Sequence, residues 1–455
     1  MAYGVFIDSS RTFIYNFYRT YVQEGAMMFY SQEPHGLFML IDNKSFYASV
    51  ECVQRGLNPL TTPLVVFSEA DNTGTGLVVA ASPMAKKIFH IKNVDRGYQI
   101  PQDSRLLMVP PRMNLYIKKN LQINQIFTKY TDRVSPYSID ESILDLTHSW
   151  QLFGQSPQQV ARTIQKDVYR HLGLVTTVGI GENPLQAKLA LDLYAKHNDH
   201  FIGIITYQTV PKMIWPVKEL TDIWGIGKRM ALRLNKLGIH NMYELAHVNP
   251  YQLTEHLGLT GSDLYATAWG IDRTDITKPV PPQNKSIGNS QVLPRDYHHQ
   301  SEIETVIKEI TAQVVARINR HQLQTRVVHL AITYSGHYYH PNHKNYFAHS
   351  HHIPPTADEK EIRLQILTIF RKYWDGRPVR DIAISCGQLS PETGEQLNLF
   401  HSSKNSDYRL QQVIANIRNK YGNTAIMSAN SLKKGGTFIK RAGLVGGHNG
   451  GNAFE

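Results

Sequence analysis

The sequence predicts a multidomain protein of mixed α/β and α+β architecture. Three observations carry that expectation. The chain has 455 residues, too many for a single core. Apolar strand-like runs alternate with helical stretches from residue 37 to about 212, the pattern of an α/β or α+β core. Residues 217–277 then read as helices alone, after which strands and helices resume.

Residues 1–36 show no clean period. Leu37-Phe38-Met39-Leu40-Ile41 reads as a buried strand ending at Asp42. Leu64–Phe67 and Leu77–Ala80 are further strands, with turn-like residues 69–76 between them. Ser138 to Leu146 reads as a strand, a break and a second strand. A helical pattern runs from about Pro157 to Leu172, and Leu174–Gly179 is again a strand. Lys278-Pro279-Val280-Pro281-Pro282-Gln283 makes a stiff linker. Beyond it, strands are expected at Val327–Tyr334 and Ile382–Cys386, and helices at 302–320 and 357–373. From about residue 393, Gly, Asn, Ser and Lys dominate, and a tail that is largely mobile or folds only on a partner is expected.

Composition narrows the function class. The net charge is +11, a surplus that favours a polyanionic partner, although a merely basic protein would carry it too. No run of about 18 apolar residues exists, so no membrane span is expected. Cys52 and Cys386 are the only cysteines and lie far apart. A disulfide framework is not expected, and a reducing cytoplasm fits.

The chemistry concentrates in carboxylates. Asp42 ends an apolar strand, where it can either bind a ligand at the sheet's lip or cap the next helix. Asp140 and Glu141 lie in Ser138-Ile139-Asp140-Glu141-Ser142. Adjacent strand residues face opposite ways, so these two share a site only if the chain bends there; otherwise they form an exposed acidic turn. Three carboxylates on neighbouring strand ends can hold two Mg²⁺ ions about 3.5–4 Å apart for in-line phosphoryl transfer.

Motif order makes this specific. Asp42-Asn43-Lys44-Ser45-Phe46-Tyr47-Ala48-Ser49-Val50-Glu51 resembles the opening motif of Y-family DNA polymerases. Ser-Ile-Asp-Glu-Ser resembles their second catalytic motif. Val178-Gly179-Ile180-Gly181 followed by Ala187-Lys188-Leu189-Ala190 resembles the third. The likeness runs from about residue 37 to 400 and is closest to the UmuC-like branch. It implies a right-hand polymerase: palm over 37–70 and 113–212, small fingers over 71–112, a helical thumb over 213–277, a linker over 278–286 and an α+β little finger over 287–392. An N-terminal extension over 1–36 and a clamp-binding, flexible tail over 393–455 complete it. Relatives begin near the first strand, so either translation starts at Met27 or Met28, or residues 1–26 are an unneeded extension.

The same resemblance implies residue roles. Asp42 and Asp140 would bind both Mg²⁺ ions, Glu141 the ion that activates the primer 3′-OH, and the Asn43 carbonyl the nucleotide-side ion. Tyr47 matches the steric gate against a ribose 2′-OH, with Phe46 beside it. Ser82 and Lys86 fall in the segment that touches the triphosphate, where Pro83 replaces an aromatic of many relatives; Lys86 and Lys87 could also be a solvated helix face. Lys196 is a second candidate phosphate lysine, one residue further along than in some relatives, and Lys188 a DNA contact. Trp224-Gly225-Ile226-Gly227-Lys228 resembles a helix-hairpin-helix, in which Gly225, Gly227 and Lys228 meet DNA phosphates; the same residues also build a plain interhelical turn.

In the little finger, Ser286, Arg317, Arg320 and Arg326 are candidate phosphate contacts by position. His337, His340, His343, His349, His351 and His352 form a histidine-rich loop, read as a polar surface loop with a metal site as the second reading. Gln396-Leu397-Asn398-Leu399-Phe400 matches the bacterial sliding-clamp peptide, against a chance hydrophobic linker. The implied partners are primer–template DNA, dNTP and the clamp, with a recombinase filament or accessory subunit left open. The implied function is translesion DNA synthesis. The alternatives are a catalytically silent polymerase-shaped module that binds DNA or the clamp, and a different helix-hairpin-helix repair enzyme.

Overall fold

The computed structural model describes residues 30–68, 76–278, 286–336, 344–391 and most of 410–450. The chain forms two compact units, each assembled from two stretches. One comprises Met1–Thr62 with Tyr116–Pro279, the other Pro63–Leu115 with Val280–Glu455.

The first unit holds a five-stranded sheet in the order Val134–Pro136, Glu141–Asp145, Phe38–Asn43, Thr176–Gly181, Ile202–Ile205. The central strand is antiparallel to both neighbours, and only the outermost pair beyond it is parallel. Met39, Leu40 and Ile41 are buried on both faces, which is why the sequence there is a continuous apolar run. Helices Pro157–Leu172 and Pro184–Leu193 begin alike. Ser156 and Asn183 accept from the amides of Gln159 and Gln186, and each helix opens on a proline. The second helix lies directly on the Thr176–Gly181 strand. Gly179 permits this: a Cβ there would sit 2.0 Å from the Ala187 carbonyl oxygen. Four further helices, Lys228–Lys236, Met242–His247, Pro250–Leu257 and Leu259–Ala268, share a core with Leu185 and Leu189.

Among its described residues the second unit contains two main sheets beside a small two-stranded one that pairs Leu444–Val445 with His448–Asn449. Leu64–Ser68 lies between Leu77–Ala81 and Leu107–Val109 in a three-stranded sheet, with helix Pro83–Phe89 after it. Leu64–Ser68 and Leu77–Ala81, expected on either side of a domain limit at residue 70, thus share one sheet; an all-apolar strand carries no signal of which sheet it joins. The other sheet runs Tyr346–Thr356, Leu323–Tyr334, Val379–Gly387, Ile287–Tyr297, with helices Gln300–Arg320 and Glu359–Tyr373 packed on it around one apolar core.

Two expectations change here. His349, His351 and His352 lie on the Tyr346–Thr356 strand, not in a loop, and the His349 ring stacks on Tyr373 at 3.6 Å. The alternation of that strand was masked by its many polar residues. His337, His340 and His343 lie outside the described residues. The tail expected to be mobile is in part folded. The Thr437 amide donates to the buried carboxylate of Glu309 at 3.0 Å, the Tyr297 hydroxyl donates to the Gly435 carbonyl, and the Asn114 amide donates to the Gly450 carbonyl. A low apolar content hid this docking, because polar bonds and a single buried aromatic, Phe438, hold the segment.

Gly179→Val would drive a branched side chain into helix backbone. Overpacking of this kind costs about 1–3 kcal/mol, so Tm should fall by several degrees in a thermal melt. An unchanged Tm would show that the helix can shift freely.

Candidate active site

Asp42 stands directly opposite Glu141 in the antiparallel register, so both side chains leave the sheet on one face. Asp140 joins them because the chain bends. The amides of Tyr137 and Ser138 both donate to the Glu141 carbonyl, at 2.9 and 3.0 Å. The Glu141 amide donates to Ser138 Oγ at 3.0 Å. Asn43 ties this turn to the central strand: its amide and its Nδ2 both donate to the Asp140 carbonyl, at 2.9 and 3.0 Å. Asn120 adds a bond to the Ile139 carbonyl.

Each carboxylate has a partner. Lys196 Nζ is 2.9 Å from Asp42 Oδ2, 2.8 Å from Asp192 Oδ1 and 3.8 Å from Glu141 Oε1. Lys188 Nζ is 2.7 Å from Glu141 Oε1 and 3.4 Å from Asp192 Oδ2. Ser138 Oγ donates to Asp140 Oδ1 at 2.7 Å. Burial pushes the Asp42 carboxyl up and Asp140 adds to this, while Lys196 opposes it. Burial works against the Lys196 charge, yet Asp42 and Asp192 outweigh it and hold the ammonium above its usual range. Lys44 is lowered by burial. Lys188, expected as a DNA contact, is thus drawn into the acidic cluster by Glu141. Lys196 reaches Asp42 because a short 3-10 turn, Ala195–His197, follows the helix and takes up the extra residue. Asp192 was not singled out from the sequence; its spacing of four from both lysines was the available signal.

Among the described residues, no three His, Cys, Asp or Glu side chains converge as a ready-made metal site. The donor chemistry nonetheless suits a hard cation. It consists of three carboxylates at one lip of the sheet, with Asp42 and Glu141 in register and Asp140 on the turn beside them.

Beside the acids stands an aromatic wall. The Tyr47 ring stacks on Tyr116 at 4.5 Å and 17°. Burial, and then Asp140, raise the Tyr47 pKa. Tyr116 is fully buried, and its hydroxyl donates to Glu51 Oε1 at 2.8 Å. Glu51 is buried as well and pairs with Arg55. Phe46, expected beside the nucleotide, is 3% exposed, and its side chain backs the wall from the core. Tyr116 escaped sequence reasoning, because a tyrosine among 113–127 looks like any helical core residue.

Other candidates divide. Ser82 is buried, and its Oγ accepts from the amides of Leu64 and Ala85. It caps a helix, which corrects the expected nucleotide contact. Lys86 lies on helix Pro83–Phe89 and is exposed. Gly225, with φ of 92°, and Gly227 are exposed at the start of helix Lys228–Lys236, beside exposed Lys228. Arg317, Arg320 and Arg326 are exposed, with Arg317 donating to the Gly288 carbonyl. Ser286 is exposed too. Gln396, Leu397, Asn398, Leu399 and Phe400 lie outside the described residues.

Comparison with known proteins adds independent findings. Residues 41–192 match the impB/mucB/samB family, and residues 284–399 match the impB/mucB/samB family C-terminal domain. Residues 215–262 match a family described as Pathogenicity locus. A Bacillus subtilis (strain 168) protein named UvrX for UV-damage repair is 38% identical, covering 93% of this chain and all of its own length. DNA polymerase IV 2 of the same organism is 34% identical over 90% of this chain and 98% of its own. DNA polymerase IV of Moorella thermoacetica is 32% identical over 88% and 96%. A solved Y-family DNA polymerase chimera shares the fold, with a TM-score of 0.63 and 21% identity over 78% of this chain and 99% of its own.

Tyr116→Phe removes one donor from the buried Glu51 carboxylate. The expected loss is about 1–3 kcal/mol of stability, read from chemical denaturation. An unchanged midpoint would mean that the remaining partners of Glu51 suffice.

Proposed function

The chain belongs to the Y family of DNA polymerases, in its UmuC-like branch, and on that premise we propose that it extends a primer across damaged template by two-metal phosphoryl transfer at Asp42, Asp140 and Glu141. It is a DNA-directed DNA polymerase of damage repair, and its substrates are DNA and dNTP. Among its described residues no helix is long and apolar enough to cross a membrane. The observation that carries the finer reading is the pairing of Asp42 with Glu141 in register, with Asp140 on a turn tied to the same strand.

Asp42 and Asp140 would hold both Mg²⁺ ions, with Glu141 and the Asn43 carbonyl each completing one. Bound there, the ions would polarise the attacking primer 3′ oxygen and neutralise charge on the leaving pyrophosphate. The residues do the rest. Lys196 exchanges its carboxylate partner for the triphosphate, as a compact point charge can. Lys86 contributes a second cation to the phosphates, and Lys188 balances Glu141 on the primer side. Tyr47, held flat by Tyr116, closes the space where a ribose 2′-OH would lie and offers it no hydrogen-bond partner in return. Gly225, Gly227 and Lys228 hold backbone phosphates without reading sequence. Arg317, Arg320 and Arg326 do the same from the second unit. Gln396–Phe400 tethers the enzyme to a sliding clamp, which raises its effective concentration at the primer end.

The ion pairs of Lys188 and Lys196 with the acids would also suit a silent module that only binds DNA. Primer extension with Mg²⁺ and dNTPs separates the readings. Wild type should extend, and Asp140→Ala should lose at least about a hundredfold in rate. No extension by wild type under any condition would favour the silent module. In the same assay Tyr47→Ala should admit ribonucleotides at least about tenfold more readily; unchanged sugar discrimination would remove Tyr47 from the gate.

A further inference from the structure

Two large aromatic rings stand in the open between the glycine hairpin and the acids. Trp224 is 48% exposed and Tyr137 is 46% exposed. Their centroids lie 6.3 Å apart at 63°. They come from different elements. Tyr137 sits on the turn that carries Asp140, and Trp224 immediately precedes Gly225. Neither is exposed by accident of a loose loop. Ile223 and Ile226 on either side of Trp224 are buried at 1% and 3%, which forces the indole outward. Tyr137 is fixed by its amide's bond to the Glu141 carbonyl.

The surroundings are cationic and lead to the reacting centre. The Lys188 ammonium lies 5.7 Å from the Tyr137 centroid and 2.7 Å from Glu141 Oε1. Beyond Trp224 the helix Lys228–Lys236 presents Lys228, Arg229, Arg233 and Lys236 to solvent. Three short steps of 6.3, 5.7 and 2.7 Å therefore connect Trp224 to a catalytic carboxylate. A duplex advances about 3.4 Å per nucleotide on each strand, so each of these steps is on the scale of one or two nucleotides. An aromatic pair placed between a phosphate-binding hairpin and the acids offers a stacking and packing surface where charge alone would leave the primer end free to move.

We propose that Tyr137 and Trp224 form a platform for the 3′-terminal deoxynucleosides of the primer strand, and so position the attacking hydroxyl. The proposal rests on the polymerase reading above. Both residues are positioning residues; Asp42, Asp140 and Glu141 keep the chemistry. A platform predicts a signature that a phosphate contact or a mere hairpin-to-turn strut would not give. Trp224→Ala should weaken primer–template binding about tenfold, as loss of one aromatic–base stack does. Its salt dependence should keep the wild-type slope, whereas Lys228→Ala should lower the slope by about one.

The experiment is fluorescence anisotropy of labelled primer–template over a salt series, with 2-aminopurine at the primer 3′ end as a second probe. Wild type should quench 2-aminopurine, Trp224→Ala and Tyr137→Ala should not, and Trp224→Phe and Tyr137→Phe should restore affinity to within about twofold. The KM for dNTP should stay near wild type while the primer–template KM rises. Wild-type affinity and quenching in Trp224→Ala, or a salt slope reduced like that of Lys228→Ala, would overturn the platform. So would a lower melting temperature with unchanged DNA binding, since that marks a strut. If wild type binds primer–template normally and shows quenching yet extends nothing, the polymerase reading fails and the platform stands.

Discussion

The antiparallel register between Phe38–Asn43 and Glu141–Asp145 is the constraint on which the site depends. It sets Asp42 opposite Glu141. A slip of one residue would send every side chain of one strand to the other face and separate the two acids. The register is secured from both sides. Met39, Leu40 and Ile41 are buried, so apolar packing resists a shift. Asn43 then fastens the Asp140 carbonyl with two bonds, so the turn cannot move without the strand.

Charge balance follows from that geometry. Three carboxylates at one lip would repel one another and lose hydration unless cations answer them. The answer comes from a single helix and the turn after it. Lys188, Asp192 and Lys196 are spaced by four and fall on one side. Asp192 shares itself between both ammoniums, which keeps them near the acids. That helix can lie so close only because Gly179 has no side chain. The glycine in the strand and the lysines in the helix are thus parts of one device.

The aromatic wall obeys a similar logic. A gate made of one ring could tilt. Here Tyr47 rests on Tyr116, and Tyr116 is oriented by a hydroxyl bond to a buried carboxylate. Rigidity is obtained from polar groups placed where water cannot compete. In the second unit the C-terminal segment shows the same principle, with the Thr437 amide and hydroxyl both donating to one oxygen of the buried Glu309.

The sequence by itself determined the family, the mixed fold class and the run of motifs, because apolar periodicity and motif spacing are local properties of the chain. Asp42, Asp140, Glu141 and Tyr47 were legible for that reason. Tertiary structure alone decided what each side chain meets. Ser82 turned inward to cap a helix, and Phe46 sank into the core. Lys188 moved to Glu141, and Leu64–Ser68 paired with Leu77–Ala81 and Leu107–Val109. Tyr116, Tyr137 and Trp224 became visible only through partners 51 to 87 positions away. Such contacts depend on how strands register and helices pack, and residue identity along the chain carries no direct mark of either.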